Sequence, residues 1–138
     1  MSILDNGELE DDQYCFACGQ RNPHGLGMRV EYSEPEALCR ITLDRRWQGW
    51  SGIAHGGVTA TLLDEIMAHA VIRYVGQAVT INAQMRYRKP VPLDRELVVR
   101  GWITETNGRR AKAAARLELA DQPGVLAQAE AVFLLSKS

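Results

Sequence analysis

Nothing in this chain approaches the roughly 20 consecutive apolar residues that a bilayer-spanning helix needs. The acidic opening MSILDNGELEDDQ also lacks the apolar core of a secretory signal. Cysteine is scarce, three residues in 138, and an odd count argues against a disulfide framework. Together these absences predict a reduced protein in the cytoplasm, not inserted in a membrane. An excess of either charge is missing too: 16 basic against 17 acidic residues give a formal net charge of −1. No overall field therefore draws in nucleic acid or an anionic membrane. The basic residues that do cluster, Arg86-Arg88-Lys89 and Arg109-Arg110-Lys112, fall along strand-like segments as solvated faces do, which speaks against a nucleic-acid partner. GxSxG, HExxH, the P-loop and GxGxxG are all absent. No cofactor is expected.

What remains is a chain of normal globular balance, 46% hydrophobic and 24% charged, with the length for one domain over 1–138. Residues 1–13 read as a solvated tail or short cap. Residues 14–27 are punctuated by Gly19, Asn22-Pro23, Gly25 and Gly27. Strand-like segments follow at about 28–32 and 37–43. From Val58 to Tyr74 apolar residues recur at helical spacing and cover most of the circumference, the mark of a buried helix. After Gly76 the period changes to two. Val79, Ile81, Ala83, Met85 and Tyr87 alternate with Thr80, Asn82, Gln84, Arg86 and Arg88, which predicts one apolar and one polar strand face. Three further strands fit 96–105, 110–120 and 125–135, joined by turn signals at Asn107-Gly108 and Asp121-Gln122-Pro123-Gly124. The order ββ–α–ββββ predicts an α+β fold in which an antiparallel sheet curls around one long helix. The helix side away from the sheet is expected to need a second copy of the chain to cover it.

The stretch HGGVTATLLDE, His55 to Glu65, carries the most chemistry. Helix-opening N–H groups lack intrahelical partners and carry partial positive charge. Bare glycines at Gly56 and Gly57 would let a carbonyl oxygen or another anion approach them. Two turns on, a carboxylate stands in an apolar run. Asp64 is the first choice as general base or nucleophile and Glu65 the competitor, because the two point about 100° apart and cannot share one role. His55 either caps the helix or contacts a substrate carbonyl. Asp64 lies seven positions after Gly57, about 10 Å along the helix axis. One reacting carbonyl therefore does not easily reach both within one chain, and composite sites between subunits are expected.

Cys15-x-x-Cys18-Gly, with His24 nearby, resembles half of a zinc ribbon. A structural zinc needs four ligands, and Cys39 falls in a predicted strand. We therefore expect small packed thiols and no metal.

GWSGIAHGGVTATLLDE, TINAQMRYRKPVP and the strand order resemble hotdog-fold acyl-CoA thioesterases, most closely the phenylacetyl-CoA thioesterase-like branch, over residues 15–135. The resemblance implies hydrolysis of an acyl-CoA by a homodimer or homotetramer with sites at the subunit interface. It places the helix carboxylate on Asp64, the oxyanion amide on Gly56 with Gly57 beside it, and a water-positioning hydroxyl on Thr80. Glu65, Trp50 and Asn82 are expected among the substrate contacts. An asparagine carried by several relatives six residues before the motif histidine is replaced here by Gly49, so either that polar contact is absent or Gln48 or Ser51 supplies it. Two alternatives remain: a non-catalytic acyl-CoA- or lipid-binding module, and an enoyl-CoA hydratase. The latter typically carries an Asp–x5–His pair, whereas four residues separate Asp64 from His69 here.

Overall fold

Helix α1 (Gly56–Tyr74) is the axis around which the other elements are arranged. The computed structural model describes residues 9–136, so most of the tail expected at 1–13 lies outside the described residues. Two strands precede the helix, β1 (Val30–Ser33) and β2 (Glu36–Thr42). Four follow it: β3 (Ala78–Tyr87), β4 (Glu96–Asn107), β5 (Arg110–Leu119) and β6 (Val125–Leu135). They form one six-stranded sheet in the order β1-β2-β4-β5-β6-β3, with every neighbouring pair antiparallel. This is the α+β arrangement that the periodicities predict. The β4–β5 turn is centred one residue later than expected. Asn107 still pairs with Arg110, and Gly108, at φ +61°, takes the first central position of the loop, where hairpin geometry favours glycine.

The helix beds into the sheet because small residues line the contact. Leu62, Leu63, Ile66, Met67, Ala70 and Val71 are buried on α1, facing Ala111, Ala113 and Ala115 of β5 and Ala127, Ala129 and Ala131 of β6. Contact is tight at Gly101 on β4, where a Cβ would stand 2.9 Å from the Ile66 carbonyl oxygen. Both partners there are backbone, so neither side can yield by a rotamer change. Gly101→Ala is expected to cost about 1–3 kcal/mol of stability through overpacking, read as a lower urea midpoint with an unchanged slope.

Two features depart from expectation. The side of α1 away from the sheet is not left entirely to a second copy, because the chain's own N-terminal segment covers part of it. Ala17 and Met28 are buried and paired by a backbone hydrogen bond of 2.9 Å, and Cys15 reaches Glu65 on the helix. The second departure is in β3. The register slips between Thr80 and Asn82, leaving Ile81 as an extra residue opposite β6. A bulge of this kind reverses which side chains face which way. Before it, Thr80 pairs with buried Phe133; after it, Ala83, Met85 and Tyr87 pair with buried Ala131, Ala129 and Ala127. Thr80, expected on the polar face, therefore turns toward the helix. Asn82 pairs with Val132 on the outer face.

Candidate active site

The helix start is built by the loop before it. Asp44 caps a short 3-10 turn, Arg45–Trp47. The chain then folds back so that the His55 N–H donates to the Trp47 carbonyl at 2.8 Å. His55 is the helix N-cap: its Nδ1 accepts from the Gly57 N–H at 2.9 Å, and its carbonyl accepts from Val58 at 2.9 Å and Thr59 at 3.1 Å. The orphan donors of the first turn are thus nearly all used within the chain. The Gly56 N–H is the exception, with no partner among the described residues.

The two glycines are consequently not equivalent. Gly57 is occupied, and a Cβ there would stand 3.1 Å from His55 Nδ1. Gly56 is exposed and leaves ordinary room for a Cβ, 3.9 Å from Tyr87. Tyr87, which the motif did not single out, donates from its hydroxyl to the Gly56 carbonyl at 2.9 Å and ties β3 to the helix start. Its place on the apolar side of the strand alternation was the available signal. Gly56 lies between two hollows. One, of about 410 Å³, is lined by Gly49, Trp50, Ala54 and His55. The other, of about 360 Å³, includes Trp50, Tyr87, Arg88 and Lys89. Trp50 is 83% exposed over both.

Gly49 now has a structural reason. A Cβ at this position would lie 3.1 Å from His55 Cα, so the loop passes too close to the helix start for an asparagine to fit without shifting it. Of the expected stand-ins, Gln48 is engaged within the loop, its Oε1 accepting from the Gly52 N–H at 2.9 Å. Ser51 sits exposed in the turn.

Asp64 projects from α1 toward β3, where the Thr80 hydroxyl donates to its Oδ1 at 2.8 Å. This contact exists because the β3 bulge turns Thr80 inward. Burial holds the Asp64 carboxyl above its ordinary value. The Thr80 hydrogen bond pulls it down in part, and the charge of Glu65 adds to the rise. A half-buried carboxylate with one oxygen fixed and a raised proton affinity suits proton abstraction.

Glu65 points elsewhere. It accepts from the Cys15 thiol at 3.7 Å and pairs with His69 Nε2 at 3.3 Å. His69 Nδ1 in turn meets the Tyr32 hydroxyl at 2.7 Å. Burial works to raise the Glu65 carboxyl, but hydrogen bonds from His69, Cys18 and Cys15 outweigh it, and the net shift is downward. Asp64 with Thr80, and Glu65 with His69, are therefore separate groups on two sides of one helix. His69 is engaged with Glu65 and Tyr32, which is not the pairing a hydratase reading requires. Asn82, on the outer face with Lys112 and Glu130, is not brought to Asp64.

A long helix gripped by a curled antiparallel sheet is the hotdog fold. The zebrafish thioesterase superfamily member 2 shares it at TM-score 0.76 and 18% identity, over 86% of this chain and 90% of that one. Residues 51–126, more than half of the chain, match the family model described as the thioesterase superfamily, and the protein belongs to that superfamily. The matched segment contains His55 to Asp64, Thr80 and Tyr87. Rat acyl-coenzyme A thioesterase THEM4 is 30% identical over 114 residues, 80% of this chain and 49% of that protein. The Xenopus laevis THEM4 is 24% identical over 120 residues, 83% of this chain and 54% of that protein. The chain thus spans about half the length of these curated relatives. The thioesterase superfamily protein RHA08564 superimposes at TM-score 0.82 with 28% identity, over 88% of this chain and 60% of that one. No helix among the described residues is long and apolar enough to cross a membrane.

Proposed function

We propose that this protein hydrolyses an acyl-CoA thioester to the free acid and CoA. The observation that carries this reading is the 2.8 Å bond from Thr80 to a half-buried Asp64 on the central helix of a thioesterase-superfamily fold. The free Gly56 N–H supports it by supplying a donor for the oxyanion. In this reading water adds to the thioester carbonyl carbon while Asp64 takes its proton, or Asp64 adds directly and water then releases the acid. The carbonyl oxygen gathers negative charge at the Gly56 amide, aided by the positive helix terminus. The tetrahedral adduct then expels the CoA thiolate. Thr80, holding one carboxylate oxygen, orients the other toward the water or the carbonyl. His55 acts indirectly, by capping the helix and fixing where the Gly56 N–H points.

Asp64 lies eight positions after Gly56, about 12 Å along the helix axis. The functional unit is therefore a homodimer, or a homotetramer built from it, in which Gly56 of one subunit faces Asp64 of the next. Edge strand β3 supports this, being ten residues long with one side unpaired. So do the exposed Ile81 and Tyr87 on that strand, with Trp50 beside Tyr87 at one hollow. The three free cysteines fit the reducing cytoplasm.

Arg88 and Lys89 line the hollow beside Gly56 and make no ion pair with described residues. We assign them to the CoA phosphates. Arg88→Ala and Lys89→Ala should each raise KM for acyl-CoA by a few-fold, since exposed charge pairs contribute about 0.2–1 kcal/mol, and leave KM for a truncated thioester without phosphates unchanged. The activity itself is tested by following thiol release over a panel of acyl-CoAs. Steady turnover of at least one is expected. Tight retention of acyl-CoA without release would instead make the chain a binding module.

A further inference from the structure

The second group on α1 has no part in the hydrolysis proposed above. Cys15 and Cys18 belong to a tight turn closed by the Gly19 N–H donating to the Cys15 carbonyl at 2.8 Å. The Cys18 N–H points at Cys15 Sγ, 3.5 Å away. Fifty positions along the sequence, Glu65 projects from the helix to meet both thiols, and the two sulfurs and a Glu65 carboxylate oxygen lie within 4.8 Å of one another. His24, the ligand considered from sequence spacing, is exposed and not part of this set. Behind the carboxylate, His69 Nε2 holds Glu65 at 3.3 Å and is itself fixed by the Tyr32 hydroxyl at 2.7 Å. No lysine or arginine pairs with Glu65 among the described residues.

We propose that Cys15, Cys18 and Glu65 form a binding site for a thiophilic divalent cation, zinc above all, that fastens the N-terminal segment to helix α1. Two thiolates with one carboxylate make a donor set that favours zinc over the hard cations magnesium and calcium. A Cys-x-x-Cys turn presents two sulfurs to one point. An amide N–H aimed at a sulfur, as at Cys15, stabilises the charge that the sulfur carries once a cation binds. The imidazole of His69 supplies the outer hydrogen bond that orients a ligating carboxylate. Cys15, Cys18 and Glu65 line a groove of about 660 Å³ together with Tyr14, Tyr32 and His69, from which water would supply the fourth ligand of a tetrahedral zinc. On binding, each thiol releases its proton, so two thiolates and a carboxylate meet a doubly charged ion. Such a clip cross-links segments 50 residues apart.

The test titrates the reduced, metal-free 138-residue chain with cobalt(II). One cobalt per chain is expected, with intense thiolate-to-cobalt charge-transfer absorption and tetrahedral ligand-field bands that zinc then bleaches. Cys18→Ser and Cys15→Ser should abolish the charge-transfer intensity expected of two thiolates. His69→Ala should weaken zinc about 10–100-fold, with Glu65→Gln weakening it at least as much. Zinc should raise the melting temperature of the wild type and not of Cys18→Ser. Absence of charge-transfer absorption in the wild type overturns the proposal, whether or not the variants fold. Zinc affinity unchanged in folded Glu65→Gln overturns it as well.

Discussion

Asp64→Asn is expected to lower kcat for thioester hydrolysis by about 10²–10⁴-fold, the range a positioned general base contributes. The protein should remain folded and should bind acyl-CoA as before. Asparagine is nearly isosteric, and its carbonyl oxygen can still accept the Thr80 hydroxyl that now donates to Oδ1 at 2.8 Å. It cannot take a proton from water or attack a thioester. Thermal stability should hold or rise slightly, because burial already disfavours the charged form of this carboxyl and the substitution removes a charge that is costly to desolvate. Activity and stability therefore move in opposite directions, which a merely structural aspartate would not produce. Equal turnover by Asp64→Asn and wild type would remove Asp64 from the mechanism.

The amide at the helix start makes a second large effect accessible. Gly56→Pro is expected to cost about 10²–10³-fold in kcat, the loss typical of one oxyanion donor, with little change in stability. Gly56 is the first residue of α1 and lies outside the positive-φ region, the position where helices accept proline best. His55, at φ −59° and ψ 138°, already has the extended conformation that a following proline demands. The N–H that proline removes bonds to nothing among the described residues. Gly56→Ala is the control. It keeps the N–H, and its Cβ would meet Tyr87 only at 3.9 Å, so activity should stay within a few-fold of wild type. Stopped-flow thiol release on the two variants, with melting curves alongside, separates a lost donor from a disturbed helix.

Those two variants probe the part of the molecule that sequence made legible. Helical spacing from Val58 to Tyr74 and the strand periods are local properties of the chain. They led directly to one helix, six strands and the placement of Gly56 and Asp64 on a single element. What local pattern does not encode is the rest. The bulge at Ile81 adds one residue without changing composition, yet it reverses the faces of β3 and delivers Thr80 to Asp64. From alternation alone Thr80 reads as a solvated residue, and only the family resemblance pointed to it. Similarly, the helical pattern ranks Asp64 ahead of Glu65 but does not show what either carboxylate meets. They part company because Cys15, fifty positions away, meets one and Thr80 meets the other. Gly49 reads as a missing polar group until the loop is seen to pass so close to His55 that a side chain would have to push the helix start aside. Tyr87, too, has a hydroxyl whose partner, the Gly56 carbonyl, lies 31 positions back. For Thr80, Glu65 and Tyr87 the missing information is a contact with a residue 16 to 50 positions away; for Gly49 it is the path of a loop that returns to the helix start six residues on.

The central claim, that each site joins the Gly56 amide of one subunit to Asp64 of another, is tested most directly by mixing the two inactive variants. Gly56→Pro and Asp64→Asn chains, co-refolded in equal amounts and separated by affinity tags to verify exchange, would give heterodimers with one intact and one doubly damaged site. Half of a random mixture is heterodimer with one working site in two, so about a quarter of wild-type activity should return. If both groups acted within one chain, every site would carry one lesion, and mixtures with demonstrated exchange would stay as inactive as either parent.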